Sequence, residues 1–169
     1  MRCFLVCVLE VDYMKHVLSA LMENKPGVLR RLAGLFGRRG YNIDSIVASA
    51  TEKEELTRMT IVVDCDEQMI DQIVKQVSKL QEIIEVENVT DVPTISSQLL
   101  IIKLSTNPQT RVELLPLASA FRARVVDMTA ETITLEATGD GDSINTIVEI
   151  LEPYGVISMM KTGTVALKK

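Results

Sequence analysis

The pattern of apolar and polar positions changes period several times along the chain. His16–Met22 (HVLSALM) partly alternates and runs into the polar turn Glu23–Gly27, which predicts a strand. From Pro26 to Arg39 the period becomes helical: Val28, Leu29, Leu32, Leu35 and Phe36 share one face, and Arg30, Arg31, Arg38 and Arg39 lie largely off it. Pro26 suits the first turn of a helix, where its missing N–H costs nothing. Gly27 leaves the helix opening bare, and Asn24 has a side chain able to cap the helix or hold a ligand. Gly40 stops the helix. Ile43–Ser49 and Thr57–Asp64 read as strands joined by the charged turn Thr51–Glu55, with Met59, Ile61 and Val63 alternating against Arg58, Thr60 and Val62. A second helix over Asp66–Leu80 places Ile70, Ile73, Val74, Val77 and Leu80 on one face, with Asp66 as its cap, and Glu82–Thr90 supplies a fourth strand.

After the short link Asp91-Val92-Pro93 the order repeats. Gln98–Ser105 is a strand, and Asn107-Pro108-Gln109 opens a helical stretch to about Arg124, which Pro116 should kink or delay. Arg124–Met128 and Thr132–Ala137 are strands, Gly139–Asp142 caps a helix over Ser143–Pro153, Val156–Lys161 closes the unit, and Thr162–Lys169 reads as a tail. The expected fold is α+β, with two consecutive βαββαβ units of ferredoxin-like topology over residues 14–92 and 93–169. Residues 1–13 read as an extension, non-native or poorly ordered, with an extra edge strand as the alternative. Glu10 and Asp12 interrupt its faint resemblance to a signal peptide, and Met14-Lys15-His16 looks like a second beginning. Each unit should carry its helices on one face and leave the other face and the edge strands open, so a homodimer or larger assembly is expected.

Composition narrows the function classes. The net charge of −5 and the 4 % aromatic content argue against nucleic acid as a partner, because phosphate contacts need a basic surface and single strands need stacking platforms. No apolar run approaches the length of a membrane span. Cys3, Cys7 and Cys65 are odd in number and scattered, which points to a reducing compartment, the cytoplasm, rather than a disulfide framework. With His16 the single histidine, neither a metal cage nor a histidine base is expected. No phosphate-binding glycine loop occurs, Gly139-Asp140-Gly141-Asp142 lacks the remaining ligands of a calcium loop, and no nucleophile stands with a base. No catalytic residue is nominated.

A binding module fits better. The turn at Asn24–Gly27 offers backbone amides and a carboxamide, and Asn42 offers a second carboxamide where a strand begins. Beside the apolar Val28, Leu29 and Ile43 these suit a small zwitterion with an aliphatic side chain, its carboxylate at the helix N-terminus. An ordinary capped turn at Asn24–Gly27 and a turn role for Asn42 are the plainer readings of the same residues.

ENKPGVLRRLAGLFGRRGYNIDSI (residues 23–46), followed by LTRMTIVV (56–63), resembles the regulatory small subunit of acetolactate synthase (acetohydroxyacid synthase), and FRARVVDMT (121–129) resembles that family's second-domain signature. The opening ENKPGVL is common to ACT domains in general; its continuation is much more specific. The resemblance runs from about Met14 to Lys169 and implies an N-terminal ACT domain followed by an ACT-like domain. It implies no chemistry of the chain's own and no cofactor in it. The implied partner is a catalytic large subunit carrying thiamine diphosphate, FAD and magnesium, which the small subunit activates and subjects to feedback inhibition by valine, and in some members by other branched-chain amino acids, in branched-chain amino acid biosynthesis. In the family the effector lies between ACT domains of two protomers. The matching positions here are Asn24, Gly27, Val28 and Leu29 with Asn42 and Ile43, while Val47 departs from the polar residue of some relatives. Three readings of other classes compete with this one. A freestanding amino-acid sensor would act on another enzyme or a transcription factor. An acylphosphatase-like enzyme would need an arginine-bearing phosphate cradle that ENKPG does not supply. An RNA-binding module would need aromatic central strands.

Overall fold

The computed structural model describes residues 14–169; the expectations for residues 1–13 lie outside that range. The elements run β1 (Met14–Glu23), α1 (Val28–Arg39), β2 (Ile43–Ala50), β3 (Leu56–Cys65), α2 (Glu67–Val77) and β4 (Ile83–Asn88). Then come β5 (Thr94–Ser105), α3 (Pro108–Ala120), β6 (Arg124–Met128), β7 (Thr132–Gly139), α4 (Gly141–Leu151), β8 (Val156–Lys161) and β9 (Val165–Lys168).

The first sheet has the order β2-β3-β1-β4 and the second β6-β7-β5-β8, all neighbours antiparallel. This is the ferredoxin-like arrangement, twice. In each unit one sheet face meets the apolar stripes of its helices. Leu18, Ala20 and Met22 of β1 and Met59, Ile61 and Val63 of β3 bury against Leu32 and Phe36 of α1 and Ile70 and Ile73 of α2. Leu100, Ile102 and Leu104 of β5 and Ile133 and Leu135 of β7 bury against Leu114 of α3 and Ile144 and Ile147 of α4. The period-two alternation of β3 and β5 sends these residues to the helix side.

Three local expectations are corrected. Pro26 does not occupy the first turn of α1. Gly27 is the residue before the helix, in the left-handed region at φ 88°, and Pro26 precedes it in the turn. Pro116 does not delay α3, which begins at Pro108 and runs through it; Asn107 caps that helix with a reciprocal Thr110 bond, and Pro116 is solvent-exposed. The segment read as a tail contains a strand. β9 pairs with Thr94–Ser97, the first third of a β5 longer than expected, and carries on the edge that β8 occupies further along.

That last difference changes the open face of the first sheet, which was expected to be free. The β5–β9 ribbon lies against it. Ala166 is buried and its N–H donates to the Thr60 hydroxyl at 3.2 Å. Lys168 pairs with Glu87 at 2.7 Å. A Cβ on Gly163 would fall 2.9 Å from Ser45 and Val47. Thr60 and Val62, polar-side positions by the alternation of β3, are therefore buried as well.

Candidate effector site

The first β–α turn is held from both sides. The Glu23 amide donates to the Glu82 carbonyl at 2.9 Å, and the Asn24 amide to the Glu55 carbonyl at 2.7 Å. The Asn24 side chain does not cap α1. Its Nδ2 donates to the Glu54 carbonyl at 3.0 Å, tying the turn to the β2–β3 loop, and Oδ1 has no partner among the described residues. Gly27 then turns the chain into the helix.

The other helices are capped by side chains: Asp66 for α2, Asn107 for α3 and Asp140 for α4. Among the described residues α1 has no side-chain cap, its first turn has no acidic residue, and the Leu29 and Arg30 amides find no hydrogen-bond partner. Such amides, aligned with the helix dipole, attract an anion.

In front of them lies a cleft of about 330 Å³. One wall is Asn24, Lys25, Val28 and Leu29; the other is Ala48, Ser49 and Ala50 of β2, with Thr57 and Met59 of β3. Val28 is buried in the core, whereas Leu29 is 52 % exposed at the rim. Of the residues read from the sequence, Asn24, Val28 and Leu29 line the cleft, and Gly27 sets the turn that forms it. Asn42 and Ile43 are not there. Ile43 pairs with Val63 at one end of β2, whereas Ala50 pairs with Thr57 at the other, so the two sets are about 23 Å apart along the strand. The cleft residues that sequence reasoning missed, Ala48–Ala50, Thr57 and Met59, were accessible in principle. In the strand order β2-β3-β1 the end of β2 must fall beside the end of β1.

Reactive groups elsewhere are quiet. Cys65 is buried, and burial, with the Asp66 and Asp64 carboxylates beside it, raises its thiol pKa and keeps the thiol protonated. Among the described residues no three His, Cys, Asp or Glu side chains gather as a metal site, and no helix is long and apolar enough to cross a membrane.

Comparison with known proteins covers both units. A family model described as an AHAS small subunit-like ACT domain matches residues 18–85, and one described as the small subunit of acetolactate synthase matches residues 97–169. The chain is 42 % identical over 154 residues to a probable acetolactate synthase small subunit of Archaeoglobus fulgidus, covering 91 % of this chain and 96 % of that one. The chain belongs to the acetolactate synthase small-subunit family. A Mycolicibacterium smegmatis acetolactate synthase small subunit is 39 % identical over 91 % of each chain. The crystal structure of an acetolactate synthase small subunit from Thermotoga maritima superimposes with a TM-score of 0.85 at 33 % identity, covering 92 % of this chain and 98 % of that one.

Proposed function

We propose that this chain is the regulatory subunit of an acetolactate synthase, which binds and activates a separate catalytic subunit in the cytoplasm and makes it subject to feedback inhibition by valine in branched-chain amino acid synthesis. Thiamine diphosphate, FAD and magnesium belong to the catalytic subunit. The observation that carries the effector part is the uncapped N-terminus of α1 opening onto a cleft with apolar walls. The effector carboxylate meets the Leu29 and Arg30 amides, a contact worth about 0.3–2 kcal/mol. The ammonium meets Asn24 Oδ1, and the isopropyl group lies among Leu29, Ala48 and Met59.

The effector site is completed by a second protomer. β2 is an edge strand with Ile46, Ala48, Ser49 and Ala50 exposed. Pairing two β2 edges antiparallel about a two-fold axis sets the start of one strand against the end of the other. Asn42 and Ile43 of one copy then approach the Asn24 turn of its partner, which accounts for both sets being suited to one ligand while lying a strand length apart within the chain. Valine acts only through its different affinity for the two states of the assembly; a hundredfold preference biases the equilibrium by about 2.7 kcal/mol.

The test is an activity titration of an acetolactate synthase catalytic subunit with this chain, with and without valine. Activity should rise to a plateau near equimolar chain and fall on adding valine. Activation without a valine response would remove the effector reading, and no activation, with no complex by sedimentation, would leave a freestanding sensor.

A further inference from the structure

The two units enclose a second cavity where they meet, about 410 Å³, larger than the cleft at the first turn. One wall is the open face of the first sheet, with Lys15, Asp44 and Val62; the other is Gln98 of β5, the first turn of α4 and the crossover from Lys161 to Thr164. The polar groups on these walls are only partly satisfied by one another. Lys15 is paired with Asp44 at 2.9 Å. Lys161 and Asp142 have no ion-pair partner among the described residues, and the Lys161 ammonium has only the Asn145 amide oxygen, at 2.9 Å. Gln98 donates through Nε2 to the Thr164 hydroxyl at 2.9 Å, but its Oε1 is buried without a partner. Gly141 stands against this amide, where a Cβ would come within 3.3 Å of Nε2, so the absence of a side chain keeps that wall clear.

We propose that this cavity is a binding site for a free α-amino acid with a polar side chain, separate from the valine cleft. A lone anion would face Asp142, and a lone cation would face Lys161; a zwitterion answers both. The Asp142 carboxylate receives the ammonium, Lys161 receives the carboxylate, and the Thr162 and Thr164 hydroxyls meet the side chain. Bound there, the ligand is held by groups of the second unit and faces the Lys15, Asp44 and Val62 wall of the first.

The full chain, labelled with 15N, is titrated separately with L-glutamine, L-glutamate and L-serine. At least one should give saturable shifts of the Gln98 side-chain amide and of the Gly141, Gly163 and Thr164 backbone amides. Those shifts should persist in Asn24→Ala, and the affinity should fall about tenfold or more in Asp142→Asn and in Lys161→Gln. Asp142 and Lys161 are both exposed, so their variants report on binding without disturbing the core. The proposal is overturned if none of the three gives saturable shifts at these amides by about 10 mM, well above usual metabolite affinities. It is equally overturned if the shifts are confined to Asn24–Leu29 and β2, or if Lys161→Gln leaves the affinity unchanged.

Discussion

Gly27 holds the first β–α turn at φ 88° and ψ −10°, a conformation that an L side chain enters only with strain. Space is not the constraint, since the nearest atom to a Cβ there is Arg31 Nη1 at 3.8 Å. Gly27→Ala should therefore cost about 1–2 kcal/mol in urea denaturation, and Gly27→Asp should in addition weaken valine inhibition by setting a carboxylate where the proposed effector site takes the ligand's carboxylate. Asn24→Ala should raise the valine dissociation constant in calorimetry with little change in melting temperature, because the Asn24–Glu54 bond it removes is exposed. Asp140 gives a pH prediction. The Ser143 backbone N–H, and secondarily its hydroxyl, hold the Asp140 carboxyl below the usual carboxylate range. A depressed folded-state pKa stabilises above the unfolded value and is lost as pH falls through the folded one. Asp140→Asn keeps a capping oxygen without the charge, so its melting temperature should lie below that of the unaltered protein at neutral pH and converge with it in acid. Asn24 and Gly27 were legible as candidates because turn chemistry is local. The φ of Gly27 and the Glu54 partner of Asn24 were not, since both depend on the hairpin packed beside the turn.

At the scale of elements, the strongly periodic segments were readable to within a few residues. β3 and α2 owe their form to their own pattern, and Asp66 caps α2 as its position suggested, accepting from the Met69 amide at 2.7 Å. α3 differs, because tertiary packing overrides a local breaker. Leu114 and Ala118 are buried on either side of Pro116 and keep the helix seated on the second sheet. Pro116 still lacks the N–H that would reach the Val112 carbonyl. Pro116→Ala should thus raise stability by about 1–3 kcal/mol, reduced by the greater freedom it gives the unfolded chain, as measured from urea midpoints at constant slope. β9 was illegible for the opposite reason: four residues with no turn signal of their own become a strand only because β5 extends past the second sheet to meet them.

For the whole molecule, β9 is the element that makes two repeated units one body. By hydrogen bonding it belongs to the second sheet, and by burial it belongs to the first, where Ala166 and Gly163 sit on the open face of the same strands whose helix face forms the candidate effector cleft. Two substitutions separate its bonds from its packing. Thr60→Val removes the acceptor of the buried Ala166 N–H at nearly constant shape and should destabilise by about 1–3 kcal/mol, the usual penalty for an orphaned buried donor. Gly163→Val forces atoms into Ser45 and Val47 and should lift the crossover off β2. If the ribbon is what couples the units, Gly163→Val should convert a single urea transition into two. The first should report loss of hydrogen-exchange protection at Ala166, while the amides of Ile101, Ile102 and Lys103 in the centre of β5 stay protected until the second.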